Sequence, residues 1–180
     1  MPLTVCVCNT VWINTSKEND SVGATTVRQL QITPTDVSGW KQSDFNTYSG
    51  AALRGPLDGG ADMYMAGGPG GGQMIEASIQ DLTGPSSKVV QVYCMDYGNE
   101  VSSIAMQNVM EENISGSPLN IPYFSDTLAE GSPSSSAGAI TVYSHFKKFF
   151  IQLSIFGCQN QIEALQTASL FLQIYQSKIN

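Results

Sequence analysis

The chain has 180 residues, of which 42% are hydrophobic and only 13% charged, against a usual charged share of about 25%. A chain of this length buries roughly two-thirds of the surface its unfolded form exposes, which suits a single domain and argues against a solitary peptide or a repeat array. Eight Lys plus Arg against fifteen Asp plus Glu leave a net charge of −7, a sign that repels phosphate backbones and anionic membrane surfaces, so nucleic acid is not an expected partner.

Met1 to Ile13 is an apolar opening with no basic residue ahead of it, and no apolar run in the chain reaches the roughly 18 residues of a membrane span. Leu3-Thr4-Val5-Cys6 loosely resembles the end of a lipoprotein signal, in which the cysteine, here Cys6, carries the lipid; an irregular start or a frayed strand is the other reading. Residues 14–25 are polar and read as a mobile linker in either case, so membrane contact is expected only through such a lipid anchor. Cys6 and Cys8 are too close in sequence for ordinary disulfide geometry, and no C-x-x-C pair suggests zinc or a redox dithiol. Cys94 and Cys158 lie among apolar residues and read as inert core thiols, with a bridge or a reactive site as the alternative.

In chain order, the alternation of residues 26–33, stopped by Pro34 and the Asp36-Val37-Ser38-Gly39 cluster, predicts a short edge strand at the start of the domain. Ser49 is placed to cap a helical turn through Leu53. Leu57, Ala61, Tyr64 and Met65 fall at helical spacing behind Asp58, which serves as a cap or as a charge favoured by the helix dipole. The glycine-rich run 67–72 reads as a flexible connection, and it lacks the Lys-Ser/Thr and the helix that a phosphate loop needs. Met74–Leu82 and Lys88–Asp96 read as antiparallel neighbours across a turn at Thr83–Ser86. Gly98-Asn99 opens a helix to Glu112 that turns Val101, Ile104, Ala105 and Val109 to the sheet and Ser102, Ser103, Gln107 and Glu111 to water. Residues 113–137, rich in Ser, Pro and Gly, leave Ile121, Tyr123, Phe124 and Leu128 for one short strand. Ala139–Ser144 and Phe149–Phe156 form a hairpin across 145–148, with Phe149, Ile151, Leu153 and Ile155 on the core face. A last helix from Asn160 to Ser177 buries Ile162, Leu165, Ala168, Leu172 and Tyr175. The fold class that follows is α+β, a mainly antiparallel sheet with helices packed on it, in one domain over residues 26–180.

The succession Val37-Ser38-Gly39-Trp40, Tyr48, Leu53, Leu57-Asp58-Gly59-Gly60-Ala61-Asp62-Met63-Tyr64 and Val92-Tyr93-Cys94-Met95-Asp96-Tyr97-Gly98-Asn99 resembles a family of uncharacterised exported bacterial proteins. These carry a domain of unknown function, often behind a lipoprotein or secretory signal. The resemblance spans roughly residues 27–178, and Asp-Gly-Gly-Ala-Asp-x-Tyr is its most specific element. The order of elements is also similar to the PsbP/Mog1-type α/β/α sandwich, a likeness that implies architecture and no activity. The resemblance to exported proteins implies a periplasmic or cell-envelope location; the cytoplasm is expected instead if Met1 is the native start.

Asp58 and Asp62 share a face if helical, and Glu76 or Asp96 would complete an oxygen-rich site for calcium or magnesium, or a carboxylate pair for acid–base work. A structural cap and a ligand held by the Gly59-Gly60 backbone are the alternatives. Trp40, Tyr48, Tyr64, Tyr93 and Tyr97 converge either as one wall of a pocket or as packing under a loop. His145, the single histidine, falls at a hairpin tip beside two lysines, the wrong place for an oriented base. The expected function is therefore a non-enzymatic extracytoplasmic domain without cofactor that binds a partner protein or a small ligand. Its candidate site is Trp40, Tyr48, Asp58, Gly59, Gly60, Asp62, Tyr64, Tyr93 and Asp96, with a metal-dependent hydrolase on Asp58, Asp62 and Asp96 as the rival.

Overall fold

Strict alternation in the second half of the chain and two capped amphipathic helices dictate the architecture seen in the computed structural model, which describes residues 25–57, 60–114, 119–121, 123–124, 127–131 and 139–180. Six strands form one antiparallel sheet: β1 (Lys41–Ser49), β2 (Glu76–Thr83), β3 (Val89–Asp96), β4 (Leu128–Gly131), β5 (Ala139–Phe146) and β6 (Phe149–Phe156), in the spatial order β1-β2-β3-β6-β5-β4. Among the described residues four α-helices flank it: α1 (Arg54–Leu57), α2 (Ala61–Ala66), α3 (Glu100–Asn113) and α4 (Gln161–Ile179). The fold is α+β, as the patterning predicts.

On one face Val90, Val92, Cys94, Ile151, Leu153, Ile155, Ile140 and Val142 pack under Ala164, Ala168, Phe171, Leu172 and Tyr175 of α4. Each fully buried Leu, Ile, Val or Phe there contributes about 1.5–3 kcal/mol of hydrophobic stabilisation. Asn160 caps α4 by accepting from the Glu163 amide at 2.9 Å, and the Glu163 carboxylate accepts in turn from the Gln159 amide at 2.7 Å, satisfying donors that a helix start leaves unpaired. On the other face a second core joins Leu53, Leu57, Ala61, Met74, Ala77, Met95, Tyr97, Met106, Met110, Tyr143 and Phe150. Helices therefore lie on both sides of the sheet.

Several expectations need correction. Residues 26–33 are turns, not an edge strand: amides of Gln29, Leu30 and Gln31 donate three residues back, which turns Val27 and Leu30 together into the first core. The buried Gln80 amide takes the place of a strand partner, accepting from the Ile32 amide at 2.9 Å and donating to its carbonyl at 2.5 Å. The edge strand is instead β1, a polar segment whose residues are mostly exposed and so carry little apolar signal. Ser49 precedes a 3-10 turn over Gly50–Leu53 without a side-chain cap bond, and the single helix expected over 57–65 is two short ones.

The helix α3 is rotated from its expected orientation. Val101 and Ile104 are exposed, whereas Ser102, Ser103 and Gln107 are buried with Met106 and Met110. Each buried polar group has a partner: Ser102 Oγ accepts from the Gly72 amide at 2.8 Å, Ser103 Oγ donates to the Lys147 carbonyl, and Gln107 meets His145. The run 67–72 is irregular, as expected, but it packs on α3, with Gly68 against the Ala105 backbone. His145 belongs to β5, not to a solvated tip; the turn is Lys147-Lys148. On α4, Ile162 is exposed and Phe171 takes the central buried position. The short strand near residue 128 is present, while Ile121 and Phe124 form only an isolated bridge. Cys94 and Cys158 are free thiols.

Candidate functional site

Because strands β2, β3, β6 and β5 pair without a slip, side chains of one face fall into rows that run across the sheet. Beneath the second core the row is Tyr48, Ala77, Met95, Phe150 and His145. Two residues further along each strand the row is Asn46, Ile79, Tyr93, Gln152, Tyr143 and Leu128. The next is Asp44, Asp81, Gln91, Ser154, Thr141 and Glu130, polar in every strand. Beyond it stand Thr83, Val89, Phe156 and Ala139. The face thus passes from apolar core to an aromatic row, to a polar row, and to a second apolar border that includes the exposed Phe156.

Hydrogen bonds tie the two middle rows together. Gln91 Nε2 donates to Asp81 Oδ1 at 3.0 Å, and the Tyr93 hydroxyl donates to Gln91 Oε1 at 3.2 Å. From α2, the Tyr64 hydroxyl reaches down to Gln152 Oε1 at 2.7 Å, while the Tyr143 hydroxyl donates to Glu130 Oε1 at 2.9 Å. Tyr97 positions Tyr64 by donating to its carbonyl at 2.7 Å. Burial pushes the Tyr64 phenol up to about 12, with Tyr93 and the Glu130 carboxylate adding to the rise. Burial also raises Tyr93, with Asp81 and Tyr48 adding to it, and raises Tyr143, where the bond to Glu130 adds to it. All three phenols therefore stay protonated near neutral pH and act as donors and as apolar plates, not as bases.

The residues expected from sequence divide between this face and elsewhere. Tyr48, Tyr64, Tyr93 and Tyr97 do meet on it, but Trp40 lies across the sheet, edge-on to Phe171 with ring centroids 4.8 Å apart. Their expected convergence with Trp40 is corrected accordingly: Tyr143 completes the aromatic group instead. Gly60 precedes α2 with the Tyr64 ring against it. Asp62 is exposed and pairs with Arg54 at 2.6 Å. Asp96 is buried and accepts from Lys148 Nζ at 2.6 Å and from the Gly98 amide at 2.7 Å. Asp62 and Asp96 are thus each held by their own partners, and Asp58, Gly59 and Cys6 lie outside the described residues. No three His, Cys, Asp or Glu side chains among the described residues gather as they would around a metal ion.

Asp44, Asp81, Gln91, Thr141, Gln152, Ser154 and Glu130 were not among the expected site residues. The signal that marks them is the polar half of each alternation: Gln91 and Tyr93 between Val90, Val92 and Cys94, or Gln152 and Ser154 between Ile151, Leu153 and Ile155.

No protein-family model matches the chain, and no curated protein matches it. Among solved structures it is similar to the extracellular domain of PknH from Mycobacterium tuberculosis, with a TM-score of 0.58 and 12% identity over 86% of this chain and 98% of that one. At that identity the likeness is one of fold. No helix among the described residues is long and apolar enough to cross a membrane.

Proposed function

We propose that this chain is an extracytoplasmic, non-enzymatic domain that binds a small ligand or a partner protein through the face built on Gln91, Tyr93 and Gln152, beside the buried Tyr143. The observation that carries this reading is the pair of rows itself: side chains from six adjacent strands align as a row that holds two tyrosines beside a polar one, hydrogen-bonded to each other. Binding sites combine a few oriented polar groups with aromatic surface in this way. Asp62 and Asp96, on which the rival hydrolase would rest, are engaged instead by Arg54 and Lys148. The fold shared with an extracellular domain supports the extracytoplasmic part of the reading, as does the resemblance to exported bacterial proteins.

Amide chemical-shift mapping of the isotope-labelled chain against a library of soluble fragments, amino acids, peptides and sugars tests the site. The expected result is that binders shift Gln91, Tyr93, Thr141 and Gln152 together, and that Tyr93→Ala abolishes those shifts while the amide signals of α4 keep their folded positions. Binders that shift only residues of α4 would refute the location. Recovery of the native gene product solely from the cytoplasm would refute the placement.

A further inference from the structure

We infer that the ligand of this face is a neutral, polyhydroxylated one, a saccharide chain lying across the strands; the inference rests on the binding function proposed above. A sugar ring has two chemistries, an apolar C–H face and a rim of hydroxyls that both donate and accept. The rows match that division. Asp44, Asp81, Gln91, Thr141 and Glu130 offer a hydroxyl, an amide and carboxylates in one line, with Ser154 buried between Gln91 and Thr141, bordered by the half-buried Tyr93 on one side and by the exposed Phe156 on the other. Six strands give that line a length of about 24 Å at the usual spacing of roughly 4.8 Å between neighbours.

The internal hydrogen bonds leave the complementary atoms for a ligand. Gln152 uses its carbonyl oxygen for Tyr64, and Asp81 uses one oxygen for Gln91. Among the described residues, Gln152 Nε2 and Asp81 Oδ2 have no such partner, so a donor and an acceptor stand on adjacent rows, as hydroxyls require. The amides and phenols are also fixed in place by their neighbours, which reduces the ordering that binding would otherwise cost.

Charge narrows the choice. Neither middle row holds a Lys or Arg; Lys41 stands one register further out, at the β1 edge opposite Thr83. A phosphate or carboxylate ligand would meet Asp81 and Glu130 with nothing on those rows to neutralise it. A compact cation fits less well than a polyol, because Asp81 on β2 and Glu130 on β4 are four strands apart, about 19 Å, and the span between them is amide, hydroxyl and phenol. Asp44 faces Asp81 at one end only.

The test is a titration of the labelled full chain, one probe at a time, with hexasaccharides of glucose (α- and β-linked), mannose, arabinose and N-acetylglucosamine, and separately with spermidine, calcium chloride and inorganic phosphate. The expected result is saturable shifts at Gln91, Thr141, Gln152 and Ser154 with at least one oligosaccharide, weakened tenfold or more by Gln152→Glu, which keeps the oxygen that Tyr64 uses and removes the N–H donor, and by Tyr93→Ala, while the amide signals of α4 keep their folded positions. Tyr93→Phe should keep most of the affinity if the ring is a stacking plate. If only spermidine, calcium or phosphate moves these residues, the saccharide assignment is overturned while the binding face stands. If no oligosaccharide shifts them but peptides from the earlier library do, the same holds. If no probe of either set shifts them, both readings fall.

Discussion

A double-mutant cycle between Gly84 and Trp40 tests the packing that anchors residues 25–40 to the sheet. Gly84 follows β2 with extended backbone at φ −106°, ψ −173°, a conformation any residue adopts, so alanine there introduces no backbone strain. Its Cβ, however, would fall 2.6 Å from Trp40 Cε2 and 2.7 Å from Cδ2 and Cζ2, well inside ordinary carbon contact at about 3.5–4.0 Å. The indole cannot simply retreat, because Phe171 of α4 meets it edge-on and it is only 6% exposed. Gly84→Ala should therefore cost about 1–3 kcal/mol as overpacking, and Trp40→Ala about 3–5 kcal/mol as the loss of a buried large aromatic. In the double variant the clash is gone, and the alanine should be neutral or stabilise by about 0.4–1 kcal/mol through the unfolded chain. The two effects should then fall short of additivity by roughly 1–3 kcal/mol, within the range of directly touching residues. Urea unfolding followed by far-ultraviolet circular dichroism measures all four corners. Additive losses, or a harmless Gly84→Ala in the parent, would mean that the indole does not lie on Gly84.

The remaining predictions concern the loop over α3 and the acid limb of stability. Gly68→Ala should destabilise by about 3 kcal/mol or more, beyond ordinary overpacking, because its Cβ would meet the backbone of Ala105 and lie 2.9 Å from the Ala105 Cβ; a melting temperature within a degree of the parent would restore the flexible-loop reading. Gly55→Ala, in α1 with open space around it, should instead stabilise by about 0.5–1 kcal/mol, read in the same urea series. Asp36 sits on α4's Lys178 at 3.0 Å: burial, the largest influence, raises its pKa, but bonds from the Thr33 amide and hydroxyl and the lysine together hold the carboxyl below its usual value. A depressed folded pKa stabilises above the unfolded value of about 3.9 and is lost as pH falls through the folded one, so Asp36→Asn should lower Tm at pH 6 and have a diminishing effect toward pH 2. An equal loss at both ends would show that the charge of Asp36 is not involved.

What the sequence discloses is what is local. The β5–β6 hairpin and the β2–β3 pair announce themselves by alternation and short turns, and α3 and α4 by Asn99 and Asn160 at their starts, which cap through the Ser102 and Glu163 amides. What it hides is what depends on distant partners. Ser102, Ser103 and Gln107 read as a solvent face because polar side chains in a helix usually are one; they are buried because Gly72, Lys147 and His145 supply their hydrogen bonds, and none of those partners is visible from the helix itself. Trp40 adjoins the tyrosine motifs in chain order, yet the strand β1 that follows it, nine residues with Phe45 and Tyr48 among polar ones and no apolar stripe, carries the chain from one side of the sheet to the other.

The binding face is the extreme case of the same principle. Gln91 and Ser154 are 63 positions apart, and Glu130 follows a stretch with few strand signals, yet they align because four antiparallel pairings fix register across five strands. A one-residue slip of any one strand would turn its polar residues into the α4 core and its valines and isoleucines to solvent, so burial of the opposite face enforces the row. The apolar half of the alternation, Val90, Val92, Leu153, Ile155, Ile140 and Val142, is therefore what aligns the polar half. Substituting a core valine such as Val142 should disturb binding at Gln152 and Thr141 only insofar as it loosens the strand. Tyr93→Ala should remove binding while the core, and with it the register, remains.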